Sequence, residues 1–152
     1  MDRGTGSVGA CNPAEAWEAL RDDPAARLVD VRTEPEWRFV GIPDLSALGR
    51  DVILQEWQAY PTMAVDPAFA DRLLDRLLEQ SAGTPPRQLF FLCRSGGRSM
   101  QAALSVAAAC AAQGFDTSCI NIEEGFEGDL DAQRHRGSLN GWKSRELAWR
   151  QS

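Results

Sequence analysis

Apolar positions recur at helical spacing in some stretches of the chain and gather into short runs in others. From Asp66 to Gln80, Phe69, Ala70, Leu73, Leu74, Leu77 and Leu78 repeat at helical spacing, so the pattern predicts an amphipathic helix over 67–80, opened by Asp66-Pro67. Asn12-Pro13-Ala14-Glu15 is a start of the same kind: Asn as cap, Pro at the first helical position, Glu in the first turn. That helix is expected to reach about Arg21, with Trp17 and Leu20 on its apolar stripe. Thr33 and Glu36 stand at capping-box spacing and predict a short helix through Trp37, Phe39 and Val40, broken by Gly41-Ile42-Pro43. An alanine-rich run from Arg98 to Gln113, stopped by Gly114, predicts another.

Between these helices lie short apolar runs: Arg27–Arg32, the Val52-Ile53-Leu54 stretch, Gln88–Leu92 and Thr117–Ile122. Each is too short for a helix and reads as a strand, and Gln88–Leu92 is apolar enough to be buried on both faces. Strands alternating with helices give an α/β domain with a mostly parallel central sheet flanked by helices. Ligands of such sheets lie outside the carboxyl ends of the strands. Asp30, Arg32 and Cys93 all fall at such ends, so they are expected to face one crevice.

The remaining stretches are polar or broken. Residues 1–11 are Gly-rich and expected to be a flexible terminus, leaving one domain over 12–150. The 55–62 stretch reads as a loop with Trp57 and Tyr60 partly exposed, and 83–86 as a linker. The charged, Gly-containing 128–141 stretch reads as a mobile insertion. The chain is expected to return as a terminal helix over 142–149, docked by Leu147 and Trp149.

Composition narrows the function. At 43% hydrophobic and 25% charged, the 152 residues suit an ordinary globular domain. The net charge of −6 argues against nucleic acid, which needs a basic face. The chain has no apolar run long enough to span a bilayer, and Met1–Ala10 lacks the order of a signal peptide, so a cytoplasmic protein is expected. Cys11, Cys93, Cys110 and Cys119 form no CxxC pair, and the single His135 completes no zinc site. Free thiols follow, with neither metal nor other cofactor expected.

One of these thiols stands apart. Phe90-Phe91-Leu92 leads into Cys93, and Arg94-Ser95-Gly96-Gly97-Arg98-Ser99 leads out of it into the alanine-rich helix. A cysteine there lies where loop N–H groups and a helix N-terminus converge, and both favour an anion. Cys93 is therefore the candidate nucleophile, since the thiolate is the reactive form. Gly96 and Gly97 are expected to supply the positive φ angles that turn N–H groups inward. Arg98 is the expected ligand of an anionic substrate, because an arginine opposes a helix N-terminus unless something else holds it there. Arg94 either shares that role or points to solvent, and Ser95 and Ser99 offer hydroxyl donors. Asp30 and Arg32 read chiefly as structural, with Arg32 pairing Glu36, and otherwise as crevice residues. Cys110 and Cys119 read as core, Cys11 as a terminal thiol and His135 as solvated. Trp57 and Trp142 read as packing residues, with a lid over the site as the alternative.

Three motifs in order resemble the rhodanese-like domains. Leu28-Val29-Asp30-Val31-Arg32 with Glu36-Trp37 and Gly41-Ile42-Pro43 resembles their first signature, Cys93–Ser99 their active-site loop, and Ile122-Glu123-Glu124-Gly125-Phe126 the segment after the last core strand. The resemblance covers roughly 12–150 and implies a three-layer fold and transfer of a sulfane sulfur through a cysteine persulfide. Two departures stand out. Ile42 follows Gly41 where the family usually has histidine, and the insertion after Phe126 is longer than in the simplest members. Four residues separate Cys93 from Arg98. This is the shorter loop of the sulfurtransferases; phosphatases and arsenate reductases of the same fold carry one residue more.

The resemblance thus implies a thiosulfate sulfurtransferase in which Cys93 carries the sulfur and Arg94, Ser95, Gly96, Gly97, Arg98 and Ser99 bind donor and persulfide. The expected partners are a small anionic sulfur donor and a thiol or protein acceptor. A persulfide carrier that does not turn over thiosulfate is the alternative, and a phosphatase-like enzyme the third reading.

Overall fold

The structure is a computed structural model describing residues 7–152. The first strand, β1, is Val8–Cys11, and helix α1 follows at Pro13–Asp22. Asn12 caps α1 as its sequence predicts: its side chain accepts from the Glu15 N–H, and the Glu15 carboxylate accepts from the Asn12 N–H, each at 2.9 Å. Next come β2 (Arg27–Asp30), α2 (Glu34–Phe39), β3 (Ile42–Pro43), β4 (Ile53–Leu54) and a hairpin of β5 (Gln58–Ala59) and β6 (Ala64–Val65). The chain closes with α3 (Phe69–Gln80), β7 (Gln88–Leu92), α4 (Gly97–Gln113), β8 (Ser118–Ile122) and β9 (Trp149–Arg150).

Five strands make one parallel sheet in the order β1-β8-β7-β2-β4. Alternation along the strands divides the core. Val29, Leu89 and Phe91 point to the side of α3 and α4, where they meet Leu73, Leu77, Ala103 and Val106. Leu28, Phe90 and Leu92 point to the other side, against Ala16 and Leu20 of α1, with Phe126 and Trp142. β7 is buried from Leu89 to Leu92, as a central parallel strand must be. Alanines at 102, 103 and 107 let α4 lie close to the sheet.

Several expectations change. Of the expected flexible terminus 1–11, residues 1–6 lie outside the described residues, but Val8–Cys11 is the edge strand of the sheet. Its partner is Cys119–Ile122, more than a hundred residues away, and no local signal reveals such a pairing. The 55–62 loop is half of a small hairpin, with Gln58 opposite Val65. α3 begins only at Phe69, with Ala68 as its N-cap residue: Asp66 closes a turn ahead of the helix, its carboxylate accepting the Ala68 N–H at 2.9 Å. The expected helix over 142–149 does not form: the chain makes turns, then β9 pairs antiparallel with β3. Long-range contacts win there. The Trp142 indole is fully buried, packs edge-on against Trp17 and donates to the Ala148 carbonyl at 2.8 Å. Trp142 is therefore core and not a lid, and half-buried Trp57 also packs on the core.

The 128–141 insertion is laced by hydrogen bonds. Asp131 accepts from the N–H groups of Gln133 and His135 and from the Ser138 hydroxyl, and Asn140 donates to Asp129. Among the described residues, no helix is long and apolar enough to cross a membrane.

Candidate active site

Cys93 stands immediately after β7, at its carboxyl end. Two other segments fix the backbone there. The Val31 N–H donates to the Leu92 carbonyl, and the Phe126 N–H donates to the Cys93 carbonyl at 2.8 Å. The Arg94 carbonyl accepts from Glu127 and Gly128. The segment after β8 is thus a floor for the cysteine loop. Gly125 makes the fit: at φ +66, a Cβ there would lie 2.5 Å from the Arg94 backbone. This role for the Gly125 position was not legible from its spacing.

The thiol is 1% exposed. Its Sγ accepts the Gly96 N–H at 3.1 Å and lies 3.2 Å from the Ser99 hydroxyl. Gly96, at φ +115, is the N-cap of α4 and turns its N–H to the sulfur. Gly97 is helical and has no positive φ, so the expectation of two such glycines holds for Gly96 alone. Ser99 is fully buried, and its hydroxyl also reaches Asn121 Oδ1 at 2.6 Å and the Gly96 carbonyl at 3.2 Å. Asn121 in turn donates to the Gly96 carbonyl at 3.1 Å. Sequence reasoning missed Asn121, although a lone amide in an otherwise apolar strand was the available signal.

The arginines part company. Arg98 forks onto Glu36, Nη1 to Oε1 at 2.7 Å and Nη2 to Oε2 at 2.9 Å, with both side chains about one-fifth exposed. This pair explains a cation at a helix N-terminus. Burial works against the Glu36 charge, but the Arg98 hydrogen bonds and charge, with the Thr33 N–H and hydroxyl, hold its carboxyl down at about 2. The same hydrogen bonds push Arg98 up, against the effect of its burial. Arg94 is exposed and makes no ion pair among the described residues. Ser95 is half-buried in the loop.

Asp30 and Arg32 are both fully buried and pair with each other, Arg32 Nη2 to Asp30 Oδ2 at 2.6 Å. Arg32 also donates to the Gly41 carbonyl at 2.7 Å and lies over the Phe126 ring at 4.2 Å. The expected Arg32–Glu36 pair is therefore replaced by two others, and neither Asp30 nor Arg32 lines an open crevice. A crevice of about 300 Å³ does open at the loop, lined by Thr33, Pro35, Glu36, Tyr60, Met63, Arg94 and Arg98.

The other thiols stay out of this site. Burial, with Glu15 and Glu123 nearby, pushes Cys11 up to about 12. Cys110 and Cys119 are core residues, and the contact between their thiols together with burial pushes Cys119 up.

This geometry has relatives. The family model for the rhodanese-like domain matches residues 12–132. An uncharacterized protein of Rickettsia conorii, RC0915, is 35% identical over 135 residues, which is 89% of this chain and 91% of the relative. The crystal structure of Rv0390 from M. tuberculosis superposes with a TM-score of 0.79 at 46% identity, covering 96% of this chain and all of that one. The polysulfide-sulfur transferase homodimer of Wolinella succinogenes shares the fold, with a TM-score of 0.54 at 16% identity over 98% of this chain and 82% of its own. With its sheet, its cysteine loop and these matches, the chain belongs to the rhodanese-like domain family, a family of sulfur transfer.

Proposed function

We propose that the protein is a cytoplasmic sulfurtransferase that takes a sulfane sulfur onto Cys93, from thiosulfate or a similar donor, and hands it to cyanide or a thiol. The observation that carries this reading is the setting of the Cys93 Sγ, which lies at a strand end, at the N-terminus of α4, within reach of the Gly96 N–H and the Ser99 hydroxyl. Those donors suit a sulfur anion. The short span from Cys93 to Arg98 suits a single added sulfur better than a tetrahedral oxyanion.

In the first step the Cys93 thiolate attacks the outer sulfur of thiosulfate. A bond forms from Sγ to that sulfur, the donor's own S–S bond breaks, and its electron pair leaves with sulfite. Cys93 then carries a persulfide anion, held by the loop N–H groups from Arg94 to Ser99. In the second step an acceptor thiolate or cyanide attacks the terminal sulfur, and Cys93 leaves as thiolate. No net oxidation occurs. Ping-pong kinetics follow from the covalent intermediate.

Intact-mass measurement tests this. Incubation with excess thiosulfate and removal of the donor should leave one added sulfur that cyanide removes and that Cys93→Ser abolishes. Sulfur gained only from a persulfidated protein makes the same site a carrier. Hydrolysis of an aryl phosphate that depends on Cys93 overturns sulfur transfer in favour of phosphatase chemistry.

A further inference from the structure

The crevice at the cysteine loop is not the anion trap that two arginines suggest. Both terminal nitrogens of Arg98 are spent on Glu36. Glu36 is itself anchored, its Oε1 accepting from the Thr33 N–H at 3.2 Å and the Thr33 hydroxyl at 2.9 Å. The carboxylate therefore stays in the crevice wall as a fixed negative charge. The charged groups of that wall are Glu36, Arg98 and Arg94, which sum to a single positive charge. Asp30 and Arg32 beneath cancel each other. The rest of the wall is uncharged: Thr33, Pro35, Tyr60 and Met63, with Tyr60 64% and Met63 36% exposed on the turn between β5 and β6.

We propose that Glu36 is a specificity-determining residue: by occupying Arg98 it makes the site select a cysteine persulfide borne on a polypeptide over the thiosulfate dianion. The inference rests on sulfur transfer through Cys93 and names its donor. Thiosulfate brings two negative charges and no apolar surface, so among the described residues it meets a resident carboxylate and one cation outside an ion pair, Arg94. A persulfide brings at most one negative charge as R–S–S⁻ and none in its reacting form R–S–SH, so the resident carboxylate opposes it less, and a polypeptide carrying it has side chains to lay on Tyr60 and Met63. The step balances: the Cys93 thiolate attacks the terminal sulfur of the protonated persulfide R–S–SH, a Cys93–S bond forms, the donor S–S bond breaks and R–S⁻ leaves.

The test is a competition between donors, read as the ratio of kcat/KM for loading from thiosulfate to kcat/KM for loading from the persulfide of the neutral peptide Ac-Leu-Cys-Leu-amide, whose leucines can reach Tyr60 and Met63. The wild-type ratio is expected below one. Glu36→Gln keeps an acceptor for the Thr33 cap, which takes Glu or Gln alike, and frees Arg98 from its ion pair. It should raise the ratio about tenfold, the value of one released charge contact. Should that variant not fold, Glu36→Asp, which draws the carboxylate back from Arg98, should move the ratio the same way by a smaller factor. Tyr60→Ser should raise the ratio severalfold by slowing the peptide alone. A wild-type ratio above one, or a ratio unmoved by either Glu36 variant, overturns the role of Glu36. Free cysteine persulfide loading as fast as the peptide, with Tyr60→Ser affecting neither, overturns the polypeptide donor. Absence of sulfur on Cys93 from every donor is a different failure, that of sulfur transfer itself.

Discussion

Two arginine–carboxylate pairs lie within one region of this molecule and do different work. Asp30–Arg32 is 0% exposed on both sides, whereas Glu36–Arg98 keeps about one-fifth of each side chain in solvent. The first is sealed. Asp30 takes the Arg32 side chain and also its backbone N–H at 3.1 Å, and the guanidinium is closed in by Gly41 and Phe126. The second spans 62 positions of sequence and ties α2 to the first turn of α4 beside the cysteine. Two pairs with the same chemistry thus differ in what breaking them means. The buried one holds up the carboxyl end of the sheet, and the rim pair sets the charge that a substrate meets.

The largest expected effect comes from the sealed pair. Arg32→Leu strands an uncompensated carboxylate in the core, and should destabilise the protein by about 3–5 kcal/mol in urea unfolding. Adding Asp30→Leu should recover a large part, because the cost lies in the unpaired charge and not in the lost attraction. If the double variant is as unstable as the single, the pair is prized for its hydrogen bonds to the β2–α2 turn instead.

The contrast between the pairs also marks what the sequence could and could not reveal. The local signals were legible. Asn12 with Glu15 and Thr33 with Glu36 are capping boxes in both sequence and structure, and Gln88–Leu92 is the buried central strand it resembles. Cys93 was legible because strand, glycine loop and alanine-rich helix are adjacent in the chain. Partnership was not. Arg32 faces two carboxylates at short separation, and local spacing cannot choose between Asp30 and Glu36. The choice follows from the strand end and helix start placing Arg98, 62 residues on, opposite Glu36. The same limit hid the β1–β8 and β3–β9 pairings, and the approach of Gly125 to the Arg94 backbone. Asn121 escaped because its partners, Ser99 and Gly96, belong to another element.

A middle-sized effect should separate the rim pair by pH. The folded value of Glu36, about 2, lies below its ordinary 4.5. Its contribution is thus complete above about pH 4.5 and is lost as pH falls towards 2. Glu36→Gln should be less stable than wild type by about 1–3 kcal/mol at pH 7, a size set by that shift and by a side chain partly open to water. The gap should close on acidification through this window, because protonated Glu36 resembles Gln. A gap that persists unchanged at pH 2.5 would show that the pair acts through packing and not charge.

The smallest effect belongs to a third pair, which extends the comparison outward. Arg145 grips Glu124 at 2.7 Å, with Arg145 36% and Glu124 16% exposed, and Glu124 also accepts the Gly141 N–H at 2.9 Å. The Arg145 hydrogen bonds hold the Glu124 carboxyl below its ordinary value, against the effect of burial. The pair fastens the end of the 128–141 insertion to the turn that floors the cysteine loop. Glu124→Gln keeps the bond to Gly141 and loses only the charge. Water and salt screen the exposed side of this pair, so the expected cost is about 0.5–1 kcal/mol, and it should vanish at about 1 M salt. Under the same salt, Arg32→Leu should keep its full penalty, since ions do not reach a sealed carboxylate. Equal salt sensitivity in the two variants would mean that burial is not what distinguishes them.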